Sequence, residues 1–458
     1  MTPLLIAALL ATAVGDPPLV PAADPCAGPV EDRPPDPRCG DALDGRSPPG
    51  TPLTATRAAL AVPRLAARAA FWPVIRTTEA VEHYQLLDRL TALTTTDDGL
   101  IGARPIVHYS TSFIPSGGLR VFDGRLPGAG SELAAQFQTG GPRVLLGQLD
   151  LRGPRPTGLA FTASWNRRDD RLFAGLGPHS VSDLEGLGQG IARYGSDNWG
   201  AALRWSRPLP ASLVAYAHGD LQRRDYTAAN VRGGPPVTDL YGLDPTTCAA
   251  LGLGSPCVDP AEMPGFAHGL RIAHAGGGLG LGLRAPGREQ SGASLVADAT
   301  FAEGVAGDPS RHATFSAEGV LALGAVNRSL VLRGKAAMVE PLSDAPIPFE
   351  ELVSPAGVAG MRGFPDGRFR GESGVVGTAE YRWYVSSFLD ATVFTDMGTV
   401  AGRTFSGMVW DRWFPSFGFG LRLLKTVGSY WEAVPMDEVQ IAWAPDGGVH
   451  LLLSLTGF

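Results

Sequence analysis

Eight histidines, His83, His108, His179, His218, His268, His274, His312 and His450, are dispersed along the chain with no His-Glu-x-x-His pair among them. That spacing offers no metal site. His179-Ser180 with Asp183 holds the residue types of a hydrolase, but there is no Gly-x-Ser-x-Gly elbow, and sequence neighbours on a loop seldom make a triad. Four cysteines fall into two local pairs, Cys26 with Cys39 and Cys248 with Cys257. Zinc would call for Cys-x-x-Cys spacing or a neighbouring histidine, and neither pair has one. Two small disulfide loops in an exported chain fit better. Gly276, Gly278, Gly280 and Gly282 interleave with Leu279, Leu281 and Leu283, yet no G-x-G-x-x-G phosphate loop is formed. The expectation is no catalytic group, no cofactor and no metal.

The composition explains what such residues are doing instead. The 458 residues include 60 glycines and 39 prolines. Together these are about 22% of the chain, short of the roughly 25–30% that marks low-complexity disorder. Charged residues are only 18%, against roughly 25% in soluble domains. A net charge of −7 excludes the basic field of a nucleic-acid binder. Lys335 and Lys425 are the only lysines. Past the N-terminus there is no apolar run long enough for a spanning helix, but membrane β-barrels hardly register in hydropathy.

Residues Leu4 to Val14 have the length of a signal-peptide core, with Ala11-Thr12-Ala13 as an A-x-A-like cleavage site. A signal peptide is expected over 1–15, against the alternative of a buried N-terminal helix, since no Lys or Arg precedes the apolar stretch. Residues 16–55, with eleven prolines between Asp16 and Pro52, read as a stiff linker. Residues 56–103 read as a helical periplasmic or plug segment, in which Thr78 caps a helix with Val81, Tyr84, Leu87 and Leu90 on one face.

From residue 104 to 458 short runs alternate apolar with small or polar residues, bounded by Pro and Gly, which is the hairpin signature. Examples are Ser131–Gln138, Arg143–Arg152, Gly158–Arg167, Ala192–Ser206, Ala211–Gln222, His268–Arg284, Ala293–Val305 and Ser329–Val339. The Gly276–Leu283 run becomes a strand with leucines toward lipid and glycines toward a crowded lumen. Short links (Leu126–Gly130, Gly153–Pro156, Pro208–Pro210, Gly324–Asn327, Val385–Ser387) interleave with long ones at about 169–190, 223–265 and 340–371. Short turns on one rim and long loops on the other mark a transmembrane antiparallel β-barrel of about sixteen strands. A soluble β-sandwich or propeller is the competing fold.

Gly360-Met361-Arg362-Gly363-Phe364 resembles the Arg-Gly-Phe/Tyr motif of the BamA/TamA family of outer-membrane barrels, the bacterial surface antigen family. Glu380-Tyr381-Arg382, Phe394-Thr395-Asp396-Met397-Gly398, the Ser416–Arg422 run, the Asn166–Gly177 segment and the terminal Phe458, as a C-terminal signal, are similar to that family too. Five strands then complete the chain, at about 373–384, 388–400, 414–425, 436–444 and 448–458. The resemblance implies a long loop folded back into the barrel with its Arg-Gly-Phe tip inside. It also implies a monomeric outer-membrane protein in contact with lipid, acting on unfolded outer-membrane or exported proteins in their insertion, translocation or export. Two departures stand out. The stretch before the first strand leaves no room for a POTRA module. Val449, Leu451, Leu453 and Leu455 are also out of phase with Phe458. The alternative function is a plugged or narrow passive pore, or a structural surface antigen.

Strand parity puts Asp390, Thr392, Phe394 and Asp396 on one face and Leu389, Ala391 and Val393 on the other, so Asp396 should face the lumen. Glu380 alternates in the same way with Ala379 and Tyr381. Arg362, Gly363, Phe364, Glu380 and Asp396 are therefore expected as a loop-to-barrel cluster, with Arg362 bridging both carboxylates. A solvated charge in a wet channel is the other reading. Trp410, Trp413 and Trp431, near strand ends, suit an aromatic girdle.

Overall fold

The computed structural model describes residues 92–455 and a few positions between 76 and 89, apart from 155–157, 230, 232, 256, 283–290, 326–327, 359, 386–388 and 428–429. The expected signal peptide, linker, most of the helical segment, the Cys26–Cys39 pair and Phe458 lie outside the described residues.

The strands are β1 (Ile101–Ser110), β2 (Ser116–Asp123), β3 (Glu132–Thr139), β4 (Val144–Arg152), β5 (Leu159–Phe173), β6 (Ala192–Leu209), β7 (Leu213–Ala228) and β8 (Leu270–Gly282). They continue as β9 (Gly292–Gly304), β10 (Arg311–Ala325), β11 (Arg328–Pro341), β12 (Ser373–Tyr384), β13 (Leu389–Ala401), β14 (Phe414–Val427), β15 (Tyr430–Ala444) and β16 (Gly448–Leu455). Each pairs antiparallel with its sequence neighbours, and β16 returns to β1, closing a sixteen-stranded barrel. No helix among the described residues is long and apolar enough to cross a membrane.

Alternation builds the wall. Leu119, Phe137, Leu203, Leu221, Leu279, Leu295, Phe315, Val393, Phe419 and Trp443 are exposed and come from strands all round the barrel. A soluble protein would not leave such a belt bare; a lipid-facing one requires it. On the inner face polar side chains pair, as where Arg120 reaches Asp150 and Gln136 donates to Gln148. The glycine run of β8 follows the same rule. Leu279 is exposed, while a Cβ on Gly278 would collide with the Tyr216 hydroxyl and the Ala297 carbonyl.

Several boundaries differ from the sequence reading. The first strand starts at Ile101, within the stretch read as helical. Strand β5 continues past Arg167 to Phe173, and β7 runs to Ala228 rather than Gln222. The long connections shrink accordingly to 174–191, 229–269 and 342–372. The turn read at Pro208–Pro210 moves along, because Pro208 still pairs with Val214 in the ladder. All three long connections follow odd-numbered strands and so emerge at one rim, opposite the rim where β1 begins.

Candidate functional site

The segment 342–372 between β11 and β12 turns inward, burying Phe349, Phe364, Arg368 and Phe369 almost completely. At its tip Arg362 meets the wall. The registers Thr378↔Asp396 and Asp396↔Ser416 set three polar residues in one row across β12, β13 and β14. Arg362 donates to Asp396 from Nε (3.0 Å) and Nη2 (2.7 Å), and its backbone N–H donates to the same carboxylate at 3.0 Å. Thr378 Oγ1 donates to Asp396 at 3.0 Å. Nη1 of Arg362 donates to Glu380 at 2.8 Å, and the guanidinium lies 3.3 Å above the Phe394 ring. Asp396 is 0% exposed, so this is a buried, bidentate pair and not a solvated charge.

Two partners were not anticipated. Glu380 also accepts from Arg382 Nε (2.6 Å) and Arg422 Nη1 (3.2 Å), and Arg422 reaches Glu438 at 3.7 Å. Three arginines therefore face three carboxylates, and Glu380 does not depend on Arg362 alone. Gly363 and Phe364 complete the tip. A Cβ on Gly363 would stand 2.5 Å from Ser416 Cβ and 3.0 Å from Ala444 Cβ. Phe364 packs on Phe369 and Phe414 with ring centroids 5.1 Å and 6.1 Å away. Gly363→Ala should force the tip off the wall at a cost of about 1–3 kcal/mol, the usual penalty of overpacking. Limited proteolysis within 342–372 is the measurement; an unchanged cleavage rate would show that the tip gives way freely.

A second attachment went unseen in the sequence. Glu350 accepts from the hydroxyls of Tyr194 (2.6 Å) and Tyr226 (3.2 Å), and Arg224 lies 3.5 Å from it. Glu351 meets Arg224 at 2.7 Å on Oε1, and His274 and His312 at 3.1 Å and 3.3 Å on Oε2. Burial opposes the Glu351 charge, but Arg224 and the two histidines outweigh it and hold the carboxyl well below its usual range. Beside these groups Phe349 sits in an aromatic cluster with Phe173, Tyr194, Tyr226 and Phe266. Arg368 adds a third tie, donating to Asp446 (2.9 Å) and to the His179 carbonyl (2.7 Å).

The hydroxyl and carboxylate beside His179 have a local task. Ser180 and Asp183 form a reciprocal capping box at the start of a short helix, Val181–Gly186. Trp410 and Trp413 stack with centroids 5.2 Å apart before β14; the Trp431 side chain lies outside the described residues. Cys248 and Cys257 sit side by side in the 229–269 connection with Cα atoms 6.0 Å apart, within the span a disulfide needs.

Closed wall, apolar belt and occupied lumen define a transmembrane β-barrel of sixteen strands. Its fold is that of the BamA type. BamA from Haemophilus ducreyi, in a structure lacking POTRA domains 1–3, superposes with a TM-score of 0.51 at 12% identity, over 78% of this chain and 69% of that one. CdiB from Escherichia coli gives 0.48 at 12% identity (77% of this chain, 62% of that one), and CdiB from Acinetobacter baumannii 0.45 at 12% (77% and 59%). This chain thus spans less than two thirds of either CdiB. No protein-family model and no curated protein matches the sequence.

Proposed function

We propose that this barrel resides in the bacterial outer membrane and assists the insertion or translocation of other proteins, without catalysing a covalent step. The seam carries the reading. Among the described residues β1 and β16 are in register only from Val107–Ser110 against Leu455–Leu452, whereas β6 and β7 pair from Tyr194 to Leu209. Among the described residues this is the shortest pairing in the wall, and an edge parted there can accept a client strand by β-augmentation. The inward loop crosses the bore between its attachments at Arg362 and at Glu350–Glu351, and the wall is the route in this reading.

Cysteines at Tyr109 and Leu453, opposite each other across the seam, should lock it when oxidised. The locked barrel is expected to lose most of its assistance to the folding of a second outer-membrane protein in liposomes, and reductant should restore it. A matching lock between Ala201 and Leu221 of β6 and β7 should change nothing. Full assistance from the locked seam would overturn the seam as the route, and no assistance from the parent barrel would leave a plugged passive barrel as the reading.

On the same placement the long connections face the cell exterior, and Cys248 with Cys257 form a disulfide there. Closing so short a loop contributes roughly 2–3 kcal/mol through chain entropy. After reduction both thiols should be labelled from outside intact cells by a membrane-impermeant reagent. Labelling from the periplasmic side alone would reverse the orientation.

A further inference from the structure

The histidines that looked scattered in sequence are brought together by the strand registers. Asp220 of β7 is opposite His274 of β8, His274 is opposite Ala302 of β9, and Ala302 is opposite His312 of β10. All lie in one transverse row on the inner face. Ala302 supplies only a methyl group between the two imidazoles, so both rings reach over it. Glu351 descends into that gap from the inward loop.

We propose that His274, His312 and Glu351 form a binding site for a divalent transition-metal ion of the zinc type, with Asp220 orienting His274. Their ligand atoms all lie within 4.8 Å of one another. His274 Nε2 is 3.1 Å and His312 Nε2 3.3 Å from the same Glu351 Oε2. Donors bonded at 2.0–2.1 Å around a tetrahedral ion stand about 3.3–3.4 Å apart, so both separations approximate edges of such a site. Asp220 Oδ1 is 2.9 Å from His274 Nδ1. The carboxylate takes that N–H and turns the Nε2 lone pair toward Glu351, the carboxylate–histidine–metal arrangement. The 3.1 Å contact is bridged by a proton when His274 is an imidazolium, and by a metal ion when Nε2 is bare.

Two imidazoles converge on one carboxylate oxygen, each bridged by its own proton or both by a single ion. His312 is fully buried and its Nδ1 has no hydrogen-bond partner among the described residues, so what Nε2 carries, a proton or a metal ion, is decided at the Glu351 end. Arg224 occupies Oε1 of Glu351 at 2.7 Å, which leaves Oε2 as the single carboxylate ligand. Two imidazoles and one carboxylate suit zinc, nickel or copper better than calcium or magnesium. Three protein donors leave the fourth position to water or to an incoming group. A cavity of about 430 Å³ lined by Asp220, Arg224 and Glu350 lies beside the site. The ion would join β8, β10 and the inward loop, a clip on the plug.

The test uses the full chain in detergent, without a histidine tag, stripped with EDTA and titrated with Co²⁺ and then Zn²⁺. One Co²⁺ per barrel should give the visible absorption of a four-coordinate site and be displaced by Zn²⁺. His274→Ala and His312→Ala should abolish the band, and Asp220→Asn should weaken binding roughly 10–100-fold. His218→Ala, a lumenal histidine that pairs with Thr300, should leave it intact. Zn²⁺ should also slow proteolysis within 342–372 in the parent chain and not in His312→Ala. Heat-modifiable migration establishes that each variant is a closed barrel. Should the alanine variants not fold, Glu351→Gln, which keeps shape and loses the anionic ligand, decides. No band in the parent chain, or a band unchanged by Glu351→Gln, would overturn the proposal and leave the row as an imidazolium held between two carboxylates.

Discussion

Arg362→Ala should release the loop tip at a cost of roughly 3–5 kcal/mol, the penalty for breaking a buried ion pair. The orphan it leaves is Asp396, whose remaining donors are the uncharged Thr378 and Ser416 hydroxyls and the backbone N–H of residue 362. Glu380 keeps Arg382 and Arg422, so it is not orphaned with Asp396. Asp396→Ala alone strands part of the guanidinium, which retains Glu380. The double variant should lose much less than the sum of the single losses, since the second change removes a group already unpaired. Protease cleavage within 342–372 reads the outcome. Additive losses, or cleavage no faster than in the parent, would place Arg362 in bulk water, where such a pair is worth only about 0–1 kcal/mol.

Glu350→Ala is the comparably large change at the other attachment. It removes the acceptor of two tyrosine hydroxyls, Tyr194 and Tyr226. A buried polar group left unsatisfied costs roughly 1–3 kcal/mol; here two hydroxyl donors lose their acceptor, although the Tyr194 oxygen still accepts from Arg370, and Arg224 loses one of its carboxylates. Glu350→Gln keeps an acceptor and should recover part of the loss. Tyr226→Phe removes donor and desolvation cost together and should be nearly neutral. Arg362 and Glu350 share no partner among the described residues, so their losses should add. Mass spectrometry of the first cut sites separates the two, with early cleavage near 345–355 expected for Glu350→Ala. A first cut at the Arg362 tip would mean that the two attachments are one cooperative unit.

Strands were legible wherever alternation ran unbroken. The run expected over 373–384 is β12, and Val393 and Met397 point outward with Asp396 between them pointing in, as parity required. The reading stopped at Arg167 because Arg168-Asp169-Asp170-Arg171 looks like loop. In the structure the β5–β6 register slips between Arg168 and Arg171, and Asp170 is buried against Arg168 and the Ile114 amide. A charged bulge inside a polar mouth obeys no period of two. Register slips in β14 likewise hid the start of β15 at Tyr430.

The Arg362 tip was readable because its partners follow closely in sequence and share a strand parity. The Glu350–Glu351 attachment was not. Its histidines sit on β8 and β10, and His274 meets Asp220 54 residues back in the chain. Only the registers of four consecutive strands make them neighbours. No local spacing encodes such a row, and an acidic pair after Pro346 and Pro348 looks like any solvated loop.

The inward loop does more than occupy space. It grips β12 and β13 through Arg362 and β6, β7, β8 and β10 through Glu350 and Glu351. Mechanically it is a strut set between separate arcs of a hoop. A hoop so braced cannot change girth without straining one end of the strut. Parting the seam would therefore load the loop's two ends, and a released end would let the ring flex. The ends differ in chemistry, guanidinium with carboxylates at one and imidazoles with carboxylate at the other, so different solutes would loosen them. The barrel's stiffness is a property of its plug as much as of its wall.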